Sequence, residues 1–139
     1  MGDQVEIRVA SDTRWLALIR RITDEFCQHT GIEAQERHAV ILAVDEAVSN
    51  VMRHSYKGDP TQELTVTWRW MDGGIEVEIR DHGEPFDPRD ETTSPPDELR
   101  VSGRGLFLMR TIMDQIDYRR EGSTNLVRMR KMIKTSVKG

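Results

Sequence analysis

Two polar residues four positions apart, Glu46 and Asn50, could do chemistry from one stripe of a helix. Side chains at this spacing lie above one another, so a carboxylate and a carboxamide would project side by side. The amide oxygen is a hard ligand that suits Mg²⁺, and the carboxylate could hold a metal-bound water or accept a proton. On this spacing alone, ordinary helix-surface residues remain the more frequent explanation.

A second candidate, Asp81-His82-Gly83, follows a predicted strand. The Asp81 carboxylate could accept a hydrogen bond from an amino group such as that of adenine. Gly83 would let the backbone approach a flat ligand closely. A simple Asx-turn at the end of a strand is the alternative for this motif.

A third candidate is the glycine pair in Ser102-Gly103-Arg104-Gly105-Leu106, at the start of a predicted helix. Free N–H groups and the positive end of the helix dipole could face a phosphate there. The segment lacks the third glycine of the Rossmann fingerprint and the Lys-Ser/Thr of the P-loop, so neither motif applies. A glycine pair alone is weak support for a site.

Two amphipathic helices are predicted to position Glu46 and Asn50. Ser11 or Asp12 can cap the first helix, and the second runs from about Gln35 to His54. The apolar face of the first helix is predicted to contain Trp15, Leu18, Ile19, Ile22 and Phe26, and that of the second Val40, Val44, Ala47 and Val51. Asp45, Ser49 and Arg53 are predicted to point to the opposite side, into water. Glu46 and Asn50 then lie on the flank of the core, where a cleft could form.

Period-two alternation predicts five strands. They are Val5 to Val9, a hairpin of Leu64 to Trp70 and Ile75 to Ile79 around Asp72-Gly73-Gly74, and two closing strands, Ile116 to Tyr118 and Asn125 to Met132. Trp68 and Trp70 share one face, which is typical of a core or an interface. Asn125 interrupts the apolar pattern of the last strand.

Between Gly83 and Gly103 the pattern gives way to Pro, Asp, Glu, Thr and Ser, which is typical of a functional lid or a disordered segment. A helix carrying Leu106, Met109 and Met113 follows. The order strand, helix, helix, strand, strand, lid, helix, strand, strand predicts an α+β fold with helices on one face of a mostly antiparallel sheet. We expect a single domain over residues 1–139.

Composition excludes several classes of protein. The net charge of −4 argues against nucleic-acid binding, and no apolar run is long enough to cross a membrane. Because no basic-then-apolar signal segment is present either, we expect a cytoplasmic location. Cys27 is the only cysteine, which excludes an intrachain disulfide. The basic residues from Arg128 to Lys138 are interpreted as an edge strand and a solvated tail rather than as a binding patch.

In this order and around a lid, the three motifs resemble those of the GHKL superfamily of ATPases and kinases, and within it the bacterial anti-sigma factor serine-protein kinases. Asp45-Glu46-Ala47-Val48-Ser49-Asn50 with His54 resembles the N box of that family. Asp81-His82-Gly83 resembles its first glycine box, and Gly103-Arg104-Gly105-Leu106 its second. Gly122-Ser123-Thr124 resembles the entry of the closing strand, so the likeness covers nearly the whole chain.

The resemblance implies the Bergerat ATP-binding fold, a two-layer α/β sandwich with a mixed, mostly antiparallel sheet and an ATP lid at about residues 84–103. It also implies a role for each matching residue. Asn50 would bind the Mg²⁺ that bridges the ATP phosphates, and Glu46 would be the general base. Asp81, helped by Thr124, would bind the adenine amino group. The second glycine box would contribute Gly103, Arg104, Gly105 and Leu106 to the nucleotide site, and Gly83 would allow close backbone approach.

The resemblance further implies two protein partners and a homodimer. The protein would sequester a sigma factor and would phosphorylate a small anti-anti-sigma partner on serine. Two alternatives remain open at this point: a nucleotide-gated binding module without kinase activity, and a related ATP-binding switch that acts on a target other than a sigma factor.

Overall fold

Alternating apolar residues build a five-stranded antiparallel sheet in the part of the chain that the structure, a computed structural model, describes: residues 3–87 and 109–133. The strands are β1 (Asp3–Ala10), β2 (Glu63–Met71), β3 (Gly74–Asp81), β4 (Gln115–Glu121) and β5 (Thr124–Met132). Their spatial order is β1-β2-β3-β5-β4, so β3 is central. The α+β prediction is confirmed, and each pair of neighbouring strands within these residues is antiparallel.

The two predicted helices are present, with one change of face. Asp12 caps a short 3₁₀ turn (Thr13–Trp15) by accepting a hydrogen bond of 3.0 Å from the Arg14 N–H. α1 then runs over Leu16–His29 and α2 over Ala34–Asn50. Leu18, predicted to face the core, is 39% exposed, because α1 turns Ile19, Thr23, Phe26 and Cys27 inward instead.

The core lies between the helices and one face of the sheet. The predicted apolar face of the second helix is buried in this core, together with alternate residues of the three inner strands. From these strands it contains Leu64, Val66, Trp68, Ile75, Val77, Ile79, Val127 and Met129. Trp68 is fully buried, and its indole N–H donates to the Thr23 hydroxyl at 3.0 Å, so its polar atom is also satisfied.

The helix changes its period directly after Asn50. A π-helical segment (Val51–Ser55) continues α2, and the Tyr56 N–H donates to the Val51 carbonyl, five residues back, at 3.0 Å. Such segments interrupt α-helices mainly at functional sites. Val51 is still buried as predicted, but the side chains after it no longer follow the α-helical wheel on which the predicted positions were based.

The sheet face opposite the core carries buried ion pairs. Glu76 and Glu78 are only 6% and 2% exposed, and arginines from three strands contact them. Arg128 and Arg130 belong to β5, which lies between β3 and β4. The interpretation of this basic segment as an edge strand is therefore wrong: two of its arginines neutralise buried carboxylates of β3.

Part of the predicted site falls outside the described residues. This applies to Gly103, Arg104, Gly105 and Leu106, and to the predicted lid after residue 87. Residues 109–112 are helical, and Met109 and Met113 are buried as predicted for the helix after the lid.

Candidate functional site

Asp81 ends the central strand as a buried carboxylate with one oxygen free. The residue is 1% exposed, and its Oδ1 accepts hydrogen bonds from the Gly83 N–H and the Asn125 amide, both at 2.8 Å. Its Oδ2 is buried without a hydrogen-bond partner in the described part of the chain. Burial raises the pKa of Asp81, whereas the hydrogen bonds from Asn125 and Gly83 lower it. A buried acceptor of this kind is costly unless a donor reaches it, so Oδ2 is suited to an amino group of a ligand.

Gly83 joins the end of β3 to the end of the helix. A Cβ at this position would lie 2.3 Å from the Ser55 carbonyl oxygen, which real Cβ atoms do not tolerate. The Glu84 N–H donates to the same oxygen at 2.8 Å. The Tyr56 hydroxyl strengthens the junction by accepting from the His82 N–H at 2.7 Å and donating to the Glu63 carbonyl at 2.6 Å. Gly83 was predicted to let the backbone approach a ligand closely. In the structure, the absence of a side chain at Gly83 allows the close approach of the Ser55 backbone.

Glu46 and Asn50 lie together beside a cation from their own chain. Asn50 is buried, and its Oδ1 accepts a hydrogen bond of 2.6 Å from Arg53 Nη2. The same nitrogen is 3.5 Å from Glu46 Oε2, a buried oxygen with no hydrogen-bond partner among the described residues. Arg53, predicted to point into water, is exposed, but its guanidinium also reaches back to the pair. The two oxygens thus demonstrably converge on one positive charge.

Glu46 has the electrostatic character of a proton acceptor. Burial raises its pKa above the ordinary value for a glutamate, the nearby Arg53 guanidinium lowers it, and Asp45 raises it. A carboxylate whose pKa is raised by burial accepts a proton more readily than an exposed one, which is the direction that a general base requires.

The last strand provides a residue that sequence reasoning missed. Thr124, expected to assist Asp81, has its Oγ1 3.2 Å from His82 Nδ1. It is the following residue, Asn125, that lies opposite Asp81 in the β3–β5 register and contacts its carboxylate. A polar residue in the buried register of an otherwise apolar strand was the available signal, and it had been interpreted only as an interruption.

His54 and Phe86 connect the helix end to the segment after β3. Their rings stack in parallel, with centroids 4.4 Å apart and planes inclined by 15°. His54 belongs to the first motif and Phe86 to the segment that follows the second. The geometry therefore brings the first two motifs to the same end of the sheet.

Comparison with known families agrees with this arrangement. Residues 9–131 match the family described as the histidine kinase-like ATPase domain. The chain belongs to this family. The buried Asp81 and the Glu46–Asn50 pair are therefore parts of a histidine kinase-like ATPase domain, and the use of ATP follows from that membership.

Relatives of this ATPase domain include several serine-protein kinases. The chain is 29% identical over 123 residues to serine-protein kinase RsbW of Bacillus licheniformis, with 83% of this chain and 77% of the relative covered. It is 28% identical to RsbW of Listeria monocytogenes, with 84% and 79% covered, and 28% identical to that of Bacillus subtilis, with 83% and 77% covered.

Solved structures support the fold of the domain. The RsbU and RsbW domains of Rv1364c from Mycobacterium tuberculosis align with a TM-score of 0.70 at 14% identity, covering 94% of this chain and 32% of that chain. A chain of the SiaB–SiaC complex from Pseudomonas aeruginosa aligns with a TM-score of 0.65 at 15% identity, covering 91% and 87%. Across residues 3–87 and 109–133, no helix is both long and apolar enough to span a membrane.

Proposed function

We propose that this ATPase domain is a serine-protein kinase and anti-sigma factor of a partner-switching module. It would transfer phosphate from ATP to a serine of a small anti-anti-sigma partner and would sequester a sigma factor. Support comes from the family, from the serine-protein kinases that align over more than three quarters of their length, and from the resemblance of the three motifs.

The observation that carries the enzymatic part is the state of Glu46. Its Oε2 is buried and without a hydrogen-bond partner among the described residues, one helical turn from Asn50. A domain that only bound nucleotide would gain nothing from a largely buried carboxylate with a raised pKa there, because such burial costs stability. A general base needs this arrangement, since the proton of an attacking serine requires an acceptor with a raised pKa.

The residues of the site fit a magnesium nucleotide. Asn50 Oδ1 is a hard oxygen donor, and its contact with the Arg53 guanidinium shows that a cation is accommodated beside Glu46. Asn50 would hold Mg²⁺, which neutralises phosphate charge during phosphoryl transfer when it is bound. Glu46 would take the serine proton, and Asp81 Oδ2 would accept a hydrogen bond from the adenine amino group. Gly83 holds Asp81 in place through its N–H, while Gly103, Arg104, Gly105, Leu106 and Thr124 complete the proposed nucleotide site by resemblance.

The proposal includes a homodimer in the cytoplasm, where ATP is available. β2 cannot supply an edge for self-association, because it is paired on both sides, with β1 and β3. Among the described strands β1 and β4 each have a single neighbour, so an edge-to-edge contact would use one of these.

One observation favours a second candidate, a nucleotide-gated binding module without kinase activity. Arg53 lies 3.5 Å from the proposed base and holds the oxygen that would ligate the metal. A guanidinium that stayed there would keep Glu46 paired, and its positive charge would oppose the binding of a metal ion at Asn50 Oδ1. Binding of ATP could then control a partner without phosphate transfer.

The variant Glu46→Gln separates the two candidates. It keeps the shape of the side chain and removes its basicity, so the kinase should bind ATP with near wild-type affinity and lose phosphate transfer by at least about a hundredfold. The assay is transfer from γ-labelled ATP to a purified anti-anti-sigma partner, together with ATP affinity by calorimetry. Glu33→Gln, at an exposed position just before α2, is the matched control. A wild-type protein that binds ATP but transfers no phosphate to any such partner would establish the binding module instead.

A further inference from the structure

We propose that Asn125 is a positioning residue that fixes the orientation of the Asp81 carboxylate and thereby sets the preference of the site for adenine. The inference rests on the proposed role of Asp81 in binding the base. It concerns a residue of the last strand to which neither the sequence motifs nor the family description gives a role.

The amide of Asn125 is held by partners on both ends. Its Nδ2 donates to Asp81 Oδ1 and to the Glu84 carbonyl, both at 2.8 Å. Its Oδ1 accepts from the Tyr118 hydroxyl at 2.6 Å and from Arg120 Nη1 at 2.9 Å. The residue is 1% exposed, so water cannot replace these bonds without a rearrangement. Because three oxygen acceptors face the nitrogen, the third being the Gly83 carbonyl at 3.4 Å, a flipped amide would turn its own oxygen against all of them.

The fixed amide determines what Asp81 offers to a ligand. With the Asn125 and Gly83 donors both on Oδ1, the carboxylate cannot rotate without losing two hydrogen bonds. Its other oxygen, Oδ2, is then presented as an acceptor in one direction. An acceptor at this point attracts the exocyclic amino group of adenine and repels the carbonyl oxygen that hypoxanthine carries at the same position. Preference for adenine thus depends on the orientation of Asp81, which in turn depends on Asn125.

The charged surroundings define which substitutions are informative. The charged and titratable side chains that act on Asp81 are His82 and Arg120, while the Tyr56 hydroxyl donates away from it, to the Glu63 carbonyl. Asn125→Leu keeps a similar volume and removes every hydrogen bond of the amide. Asn125→Asp keeps the shape but places a second carboxylate against the first, and two carboxylates in contact share a proton at low pH.

The test compares binding of ATP and of ITP, in which hypoxanthine replaces adenine, by calorimetry. Wild type should prefer ATP. Asn125→Leu should weaken ATP binding about ten- to a hundredfold, the worth of one hydrogen bond to a charged group, and should weaken ITP binding much less. Asn125→Asp should bind ATP poorly at about pH 8 and recover toward about pH 5.5, because a shared proton restores a donor to Asp81 Oδ1. Thr23→Val, which removes a buried hydrogen bond to Trp68 in the core between helix and sheet, is the control and should keep the wild-type preference for ATP.

Each outcome decides the proposal. Equal losses of ATP and ITP affinity in Asn125→Leu, or an unchanged ratio between them, would reduce Asn125 to a structural residue. If Asn125→Leu does not fold, the near-isosteric Asn125→Asp decides by its pH profile, and a flat profile overturns the inference. A wild-type protein that binds ATP and ITP equally would refute the role of Asp81 itself, which distinguishes a failure of the proposed function from a failure of this inference.

Discussion

Replacing Gly83 with alanine tests the junction between the end of β3 and the π-helical segment. The φ angle of Gly83 is not in the left-handed region, so alanine itself is conformationally permitted. The new Cβ would lie 2.3 Å from the Ser55 carbonyl oxygen and 2.6 Å from its carbon, both backbone atoms. An ordinary contact requires about 3.3 Å or more, so the two segments must separate by about 1 Å.

The cost follows from that separation. A shift of about 1 Å would break the hydrogen bond between the Glu84 N–H and the Ser55 carbonyl, which needs a donor–acceptor distance of roughly 3.2 Å or less. Overpacking costs about 1–3 kcal/mol and the lost hydrogen bond about 1 kcal/mol, so the free energy of unfolding should fall by about 2–4 kcal/mol. ATP affinity should also fall at least about tenfold, because the Gly83 N–H that supports Asp81 moves with the segment.

The assay is urea unfolding followed by circular dichroism, with ATP affinity by calorimetry. Gly58→Ala is the matched control, since it has φ +80° and no atom within 4 Å of the added Cβ. It should cost only about 1–2 kcal/mol, through backbone strain, and should leave ATP affinity unchanged. If Gly83→Ala is no less stable than Gly58→Ala and binds ATP as wild type does, the close approach to Ser55 has no energetic weight and the reasoning is refuted.

Three further substitutions test the charges of the site and of the sheet. The raised pKa of Asp81 means that its contribution to stability is complete below the ordinary carboxyl pKa and is lost as pH rises through the raised value. Asp81→Asn should therefore melt at a higher temperature than wild type at neutral pH while losing ATP binding, and a lower melting temperature would contradict this. Burial raises the pKa of Glu78, but the Arg128 hydrogen bond and the charges of Arg69, Arg80 and Arg128 lower it overall. The contribution of Glu78 to the free energy of unfolding is therefore present above the ordinary carboxyl pKa and is lost as pH falls through the lowered value. Glu78→Gln should flatten the acid limb of a stability-against-pH curve, and an unchanged limb would refute the assignment. Arg53→Gln should free Asn50 and lower the Mg²⁺ concentration for half-maximal ATP binding by about two- to tenfold; a higher requirement would show that Arg53 assists the metal.

The helices and strands, and the motifs that lie within a single helix or strand, could be predicted from the sequence. The hairpin around Asp72-Gly73 was predictable because both turn residues have positive φ, which this residue pair accepts readily. The stripe of Val40, Val44 and Ala47 was predictable because the α-helical period holds as far as Asn50, and Val51, the first residue of the π-helical segment, is also buried as predicted. Glu46 and Asn50 could be paired for the same reason.

The contacts that cross between elements were not predictable. Asn125 meets Asp81 only through the register of β3 and β5, across 44 residues of chain, and no local pattern encodes that register. Arg53 was correctly predicted to be exposed, but its contacts with Asn50 and Glu46 depend on the rotamer of a long side chain, which the helical period does not specify. Glu76 and Glu78 read as solvent-facing strand residues, since nothing local shows that arginines from other strands cover them.

The strand order determines which parts of the site can form first during folding and which form last. β3 lies between β2, its neighbour in the chain, and β5, which follows more than forty residues later. The N-terminal helices and the β2–β3 hairpin can form early, because their contacts are local in the chain. Asp81 acquires its Asn125 partner only when the β4–β5 hairpin docks. During synthesis on the ribosome, the nucleotide-binding end of the sheet is therefore completed last, and nascent chains that stop before residue 125 should fail to be retained on immobilised ATP.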